Sequence, residues 1–280
     1  MTMYLRLAGS QPLLSSRRLL EPDFPGELVV DARELDFATP LDLTAITALA
    51  HSHVVQGDRV RLLLPNDLGV ASYLERMDLL NRLPYRCEFD RTVRAKARAD
   101  RSDSLLEITP VKSTTEGAAA SARVFGVARA NLGDHLGALT LRVVGELIDN
   151  AASHGRSETG SFVAVQIYPS ARRLEFAVCD TGVGILEHLK GNPAHQDLNR
   201  DHEALTRALE PGVSGEREAR GNGLPDLLKM AGGAGRTRLV IRSGNGLLST
   251  NSGVENPSTR SDSVPDSVKG TWAWLRVMFP

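Results

Sequence analysis

Residues 141–155 read Leu-Arg-Val-Val-Gly-Glu-Leu-Ile-Asp-Asn-Ala-Ala-Ser-His-Gly, and the spacing within them predicts a helix. At about 100° per residue, Leu139, Val143, Leu147 and Ala151 share one face, Asn150 falls within it and Glu146 sits at its edge. A carboxylate and an amide one turn apart are thereby expected to turn inward. Each costs a few kcal/mol when buried unless something bonds it, so a ligand, a metal or an internal hydrogen-bond partner is implied. Taken alone, an ordinary amphipathic helix with a marginal Glu and a hydrogen-bonded Asn explains the stretch equally well.

Two glycine pairs lie downstream. Residues 161–168 and 173–179 alternate like strands, and the second run ends in Asp180-Thr181-Gly182-Val183-Gly184-Ile185. A carboxylate at a strand end, followed by two glycines, lets the backbone turn sharply and approach something closely. Farther on, Arg220-Gly221-Asn222-Gly223-Leu224-Pro225 feeds a helical run over 226–230. Free amides and the positive end of a helix dipole at such a place accept phosphate well. Either pair alone reads more readily as a turn with no ligand.

The order Glu-x-x-x-Asn, Asp-x-Gly-x-Gly, Gly-x-Gly resembles the nucleotide-binding motifs of the GHKL ATPase superfamily. Its short spacing and the phrase Asn-Ala-Ala-Ser-His-Gly look most like the anti-sigma-factor serine kinases and stand-alone bacterial ATP-binding proteins. The resemblance covers residues 110–280 and implies a Bergerat-type α/β sandwich, a mixed sheet covered by helices, holding ATP and Mg2+. It implies Glu146 as general base toward water or a protein hydroxyl, and Asn150 as the oxygen ligand to Mg2+. Asp180 would accept a hydrogen bond from the adenine amino group, while Gly182 and Gly184 admit base and ribose. Gly221 and Gly223 would offer amides to the phosphates, and Thr271 a hydroxyl near the adenine. Residues 186–219 correspond to a mobile lid hinged at 212–215, from which Arg217 and Arg220 would reach the γ-phosphate, Arg220 with the better claim. His154 would face the phosphates or simply stand at a helix end. Pro225 replaces a third glycine of many relatives, keeping the helix start but removing a donor.

The other features bound the function. With 280 residues and 41% hydrophobic content, two domains are expected. The 33 basic and 34 acidic residues leave no global field for nucleic acid or an anionic membrane. Cys87 and Cys179 fit no metal spacing, and neither a signal peptide nor a membrane span is visible, which predicts a cytoplasmic protein. Residues 1–95 read as a smaller α/β unit: strands at 27–32 and 60–64 alternate with helices at 40–51 and 71–80. This part weakly resembles a STAS domain. Only Thr39 lies near the phosphorylatable serine of such domains, and Leu41 stands in its place, so docking or sensing of a protein partner is expected over self-phosphorylation. His51 and His53 suit a helix terminus better than a metal. Residues 96–109 form a charged linker and first strand, and 243–270 a mobile hairpin loop rich in Ser, Asn, Gly, Asp and Pro. The stop at Pro280 and the lack of a histidine-bearing helical pair disfavour clamp ATPases and two-component kinases. Two functions remain open: a regulatory ATPase or serine/threonine kinase using Glu146, and a non-hydrolysing nucleotide-gated interaction module. A homodimer is one assembly compatible with either.

Overall fold

A computed structural model describes residues 3–9, 19–20, 26–92, 100–153, 157–210, 212–213, 236–253 and 256–279. The chain is mixed α/β, with one mainly parallel and one antiparallel sheet. In the first sheet, β1 (Met3–Gly9), β3 (Glu27–Leu35), β4 (Arg59–Leu63) and β5 (Cys87–Phe89) run parallel, in the order β2-β1-β3-β4-β5. The two-residue β2 (Leu19–Leu20) adds antiparallel to β1. Helices α1 (Pro40–Val55), α2 (Leu68–Arg76) and α3 (Leu79–Arg82) connect β3, β4 and β5. The single helix expected over 71–80 is broken at Asp78, which adopts a left-handed φ of 67°.

The second sheet runs β6 (Leu105–Val111), β7 (Ser161–Tyr168), β8 (Arg173–Asp180), β10 (Ser258–Met278), β9 (Thr237–Ser252). Every described pairing in it is antiparallel, which corrects the expectation of a mixed sheet. The expected loop at 243–270 is also corrected. Most of it is a two-stranded ribbon in which Gly246 to Asn251 pair with Ser263 to Ser258, interrupted by a bulge around residues 264–270. Polar, glycine-rich composition reads as loop, whereas cross-strand pairing makes it strand.

Side chains alternate across this sheet with the period of two that strands impose. One face carries Val163, Val165, Phe176, Val178, Ile241 and Leu275 against α4 (Thr114–Ser153), a helix pair kinked at Gly133 (φ 76°). The other carries Phe162, Ala164, Ala177, Cys179, Trp272 and Trp274 into one core with α1 and the first sheet. Helix α1 is accordingly buried on every side from Pro40 to Ala50 between the two sheets, with Thr44 and Thr47 bonding their hydroxyls to its own backbone. Thr44 Oγ1 lies 3.2 Å from Cys179 Sγ, and Ile108 of β6 donates its N–H to the Met77 carbonyl at 3.1 Å.

Candidate functional site

The site is built where β8 ends. Asp180 is only 1% exposed, and its Oδ1 accepts the Gly182 N–H at 2.8 Å and the Thr271 N–H at 3.3 Å. Both bonds fall on that one oxygen. Burial pushes the Asp180 carboxyl up to about 6, against the lowering effect of the two N–H groups. Gly270, at φ +79°, lets β10 press against this carboxylate: a Cβ there would stand 2.6 Å from Asp180 Oδ1. Thr271 contributes its backbone N–H to Asp180.

Gly184 has φ +78°, and the space its Cβ would take belongs to Ser243 Oγ, 2.9 Å away. Glycine is therefore required here by backbone conformation and by the approach of β9. Gly182 is half-buried and bonded to Asp180 as above. Ser243, which no sequence signal marked, accepts the Ile185 N–H at 2.8 Å and donates to the Gly270 carbonyl at 3.2 Å.

The end of α4 arrives at the same edge of the sheet. Ser161 pairs with Asp180, and the preceding Ser157 and Thr159 hydroxyls lie 3.4 Å from that of Thr181. On α4, Val143, Val144, Leu147 and Ile148 point into the core, Asn150 is half-buried and Glu146 is exposed. The inward turn expected of Glu146 is thus corrected: the buried stripe runs through Thr140, Val144, Leu147 and Ile148, which leaves Glu146 outside and Asn150 at the margin of the stripe. Arg217, Arg220, Gly221, Gly223, Pro225 and His154 lie outside the described residues.

Part of the expected lid is a packed substructure. Helices α5 (Gly184–Lys190) and α6 (Asp201–Arg207) share a small core of Leu189, Leu198, Ala204 and Ala208. Helix α6 is seated on the ribbon, where Asp201 Oδ2 accepts the Asn245 N–H at 3.0 Å and Ser261 Oγ donates to the His202 carbonyl at 2.7 Å. Gly212 has φ +80°, in the left-handed region that favours glycine.

Elsewhere, Thr39 caps α1 and is 2% exposed, its hydroxyl engaged with Asp42, so it offers no accessible phosphoacceptor. His51 stacks on Phe162 at 5.0 Å and meets the Arg82 carbonyl at 2.8 Å; burial holds its pKa below the ordinary value. His53 pairs with Asp58 at 2.7 Å. A polar cleft of about 430 Å³ on the first sheet is lined by Tyr4, Arg6, Asp31, Arg33, Glu34 and Asn66. Its Asp31 is held well below the usual carboxylate range by the Arg33 guanidinium and the Tyr4 hydroxyl. No helix of the described residues is long and apolar enough to cross a membrane. No protein-family model matches the chain, and no curated protein matches it.

Proposed function

We propose that the chain is a regulatory protein that binds Mg-ATP at the Asp180 edge of the antiparallel sheet, in the manner of the GHKL ATPases it resembles. The observation that carries this is the Asp180 carboxylate: almost fully buried, gripped by backbone N–H groups on one oxygen, and framed by Gly182, Gly184 and Gly270. A desolvated carboxylate is expensive for a fold to keep, and an acceptor aimed at an exocyclic amino group gives a reason to keep it. Adenine offers such a donor on its Watson–Crick edge, whereas guanine offers a carbonyl at the corresponding position.

Asn150, in the last turns of α4, would supply the amide oxygen to Mg2+. Among the described residues no group of three His, Cys, Asp or Glu side chains gathers to hold a metal, so the ion would depend on Asn150, the phosphates and water. Glu146, one turn earlier, would be the base toward a nucleophile attacking the γ-phosphate. The partner would dock on the N-terminal sheet unit, whose α1 reaches under Cys179, the neighbour of Asp180.

A second reading, the non-hydrolysing nucleotide-gated module, is favoured by the exposure of Glu146. Calorimetric titration with ATP, ADP and GTP, with and without Mg2+, tests the shared part. ATP and ADP are expected to bind, GTP far more weakly, and Asp180→Ala to abolish binding; equal affinity for all three would remove the assignment of Asp180. Phosphate release by the wild type and its loss in Glu146→Ala, with ATP binding retained, would select the ATPase over the module.

A further inference from the structure

The two N–H groups that hold Asp180 come from separate segments. Gly182 belongs to the turn between β8 and α5, and Thr271 to β10. Ser243 of β9 is bonded to both segments. Its Oγ accepts from Ile185, three residues beyond Gly182, and donates to the carbonyl of Gly270, immediately before Thr271. It is 1% exposed, and Thr271 is its register partner across the β9–β10 pair. A hydroxyl has one proton to give and lone pairs to accept with, and Ser243 uses both functions here. Gly184 and Gly270 lack the Cβ atoms that would push the three segments apart.

We propose that Ser243 is the positioning residue of the nucleotide site: it locks the Gly182–Ile185 turn to the Gly270–Thr271 step of β10 so that both backbone donors converge on Asp180 Oδ1. The inference deepens the nucleotide reading and rests on it for its consequence, the selection of adenine over guanine. Its structural part stands on the bonds alone. With the hydroxyl removed, the Ile185 N–H and the Gly270 carbonyl lose their shared partner, the two segments part, and the donors on Asp180 lengthen. The carboxylate is then less well held. Burial, which dominates its ionisation, goes unopposed, and the neighbouring titratable group, the Cys179 thiol, is itself pushed up by burial.

The experiment uses the full chain in three forms, wild type, Ser243→Ala and Val277→Ala, the last a core truncation at the far end of β10, where Val277 pairs with Leu174 near the start of β8, that lowers the melting temperature without touching the turn. Carboxyl-selective NMR titration of Asp180, assigned with Asp180→Asn, is read beside calorimetry with ADP and GDP. In Ser243→Ala the Asp180 midpoint is expected to rise by about half a pH unit or more. ADP affinity is expected to fall about tenfold, as for the loss of a buried hydrogen bond, with the preference over GDP narrowed. Val277→Ala should leave the midpoint and the preference where they are. An unmoved midpoint in Ser243→Ala, with only a lower melting temperature, would overturn the positioning role. If the wild type binds neither ADP nor GDP while the midpoint still moves, the nucleotide reading falls and the positioning of Asp180 by Ser243 stands.

Discussion

At the scale of single residues, Asp180 carries a tension between stability and binding. Its folded-state pKa of about 6 lies above the ordinary 3.8, so the neutral form favours the fold. That contribution is fully present below the unfolded value and is lost as pH rises through about 6, leaving a buried charge at neutral pH. A shift of this size corresponds to about 3 kcal/mol at pH 7. Asp180→Asn keeps an oxygen for the Gly182 and Thr271 N–H groups and removes the charge. Its thermal midpoint at pH 7.5 should therefore equal or exceed the wild type's, the advantage shrinking as pH falls through about 6 and nearly gone by about pH 4, while adenine-nucleotide binding is lost. A stability deficit of the same size at both pH values would show that burial of the charge does not govern the site. In the wild type, nucleotide affinity should weaken as pH falls through about 6, because a protonated carboxyl no longer accepts freely from an amino group. The two thiols also test the packing. Burial pushes Cys87 up to about 12 and raises Cys179 further, so both should resist a thiol reagent at pH 8 until the chain is unfolded. Asp180 and its glycines were legible in the sequence because they are local, a carboxylate and two small residues within five positions. Ser243 and Gly270 were not, since their meaning lies in contacts spanning 58 residues to Ile185 and 91 from Asp180 to Thr271.

Elements show the same division between local pattern and distant pairing. Strands β3, β4, β6, β7 and β8 were readable because buried strands carry apolar or alternating side chains. The ribbon of β9 and β10 was not, because its Ser, Asn, Gly and Asp residues are strand only by virtue of the partner strand and of α6 seated on it. Gly246 is where that seat is closest: an added Cβ would meet Leu205 Cδ1 at 2.7 Å and the α6 backbone at 2.9 Å. Gly246→Val should therefore lift α6 off the ribbon, with amide exchange accelerating over Asp201–Arg207 while β7 and β8 keep their protection. Unchanged exchange in α6 would mean that the helix is held by something other than this contact. On α4 the helix was legible but its rotation was not. Apolar residues at 143, 144, 147 and 148 fit stripes centred on either side of Leu147, and the core chose the one that leaves Glu146 outside.

For the whole molecule the decisive element is α1, whose sequence of Leu, Ala, Ile and Thr on every side makes sense only between two sheets. Its Ala45 and Ala48 are fully buried, and the core it enters joins Leu28, Val30 and Leu62 of the first sheet to Phe162, Cys179, Trp272 and Trp274 of the second. Ala48→Glu would place an uncompensated charge in that core at a cost of about 3–5 kcal/mol. If the sheets were independent, such a change would unfold the first and spare the second. Because the shared core includes side chains of both, denaturant unfolding is expected to stay a single transition moved to lower denaturant, with tryptophan fluorescence from the second sheet and circular dichroism from both coinciding. A chain beginning at residue 96 should likewise expose the Phe162, Trp272 and Trp274 face, bind a hydrophobic dye and self-associate in size-exclusion chromatography. A monomeric, dye-silent fragment with native tryptophan emission would show that the second sheet closes its own core and that α1 is a lodger rather than a shared wall. With the wall shared, a nucleotide bound at Asp180 stabilises the first sheet as well as the second, since ligand bound to the folded state raises the stability of everything that unfolds with it.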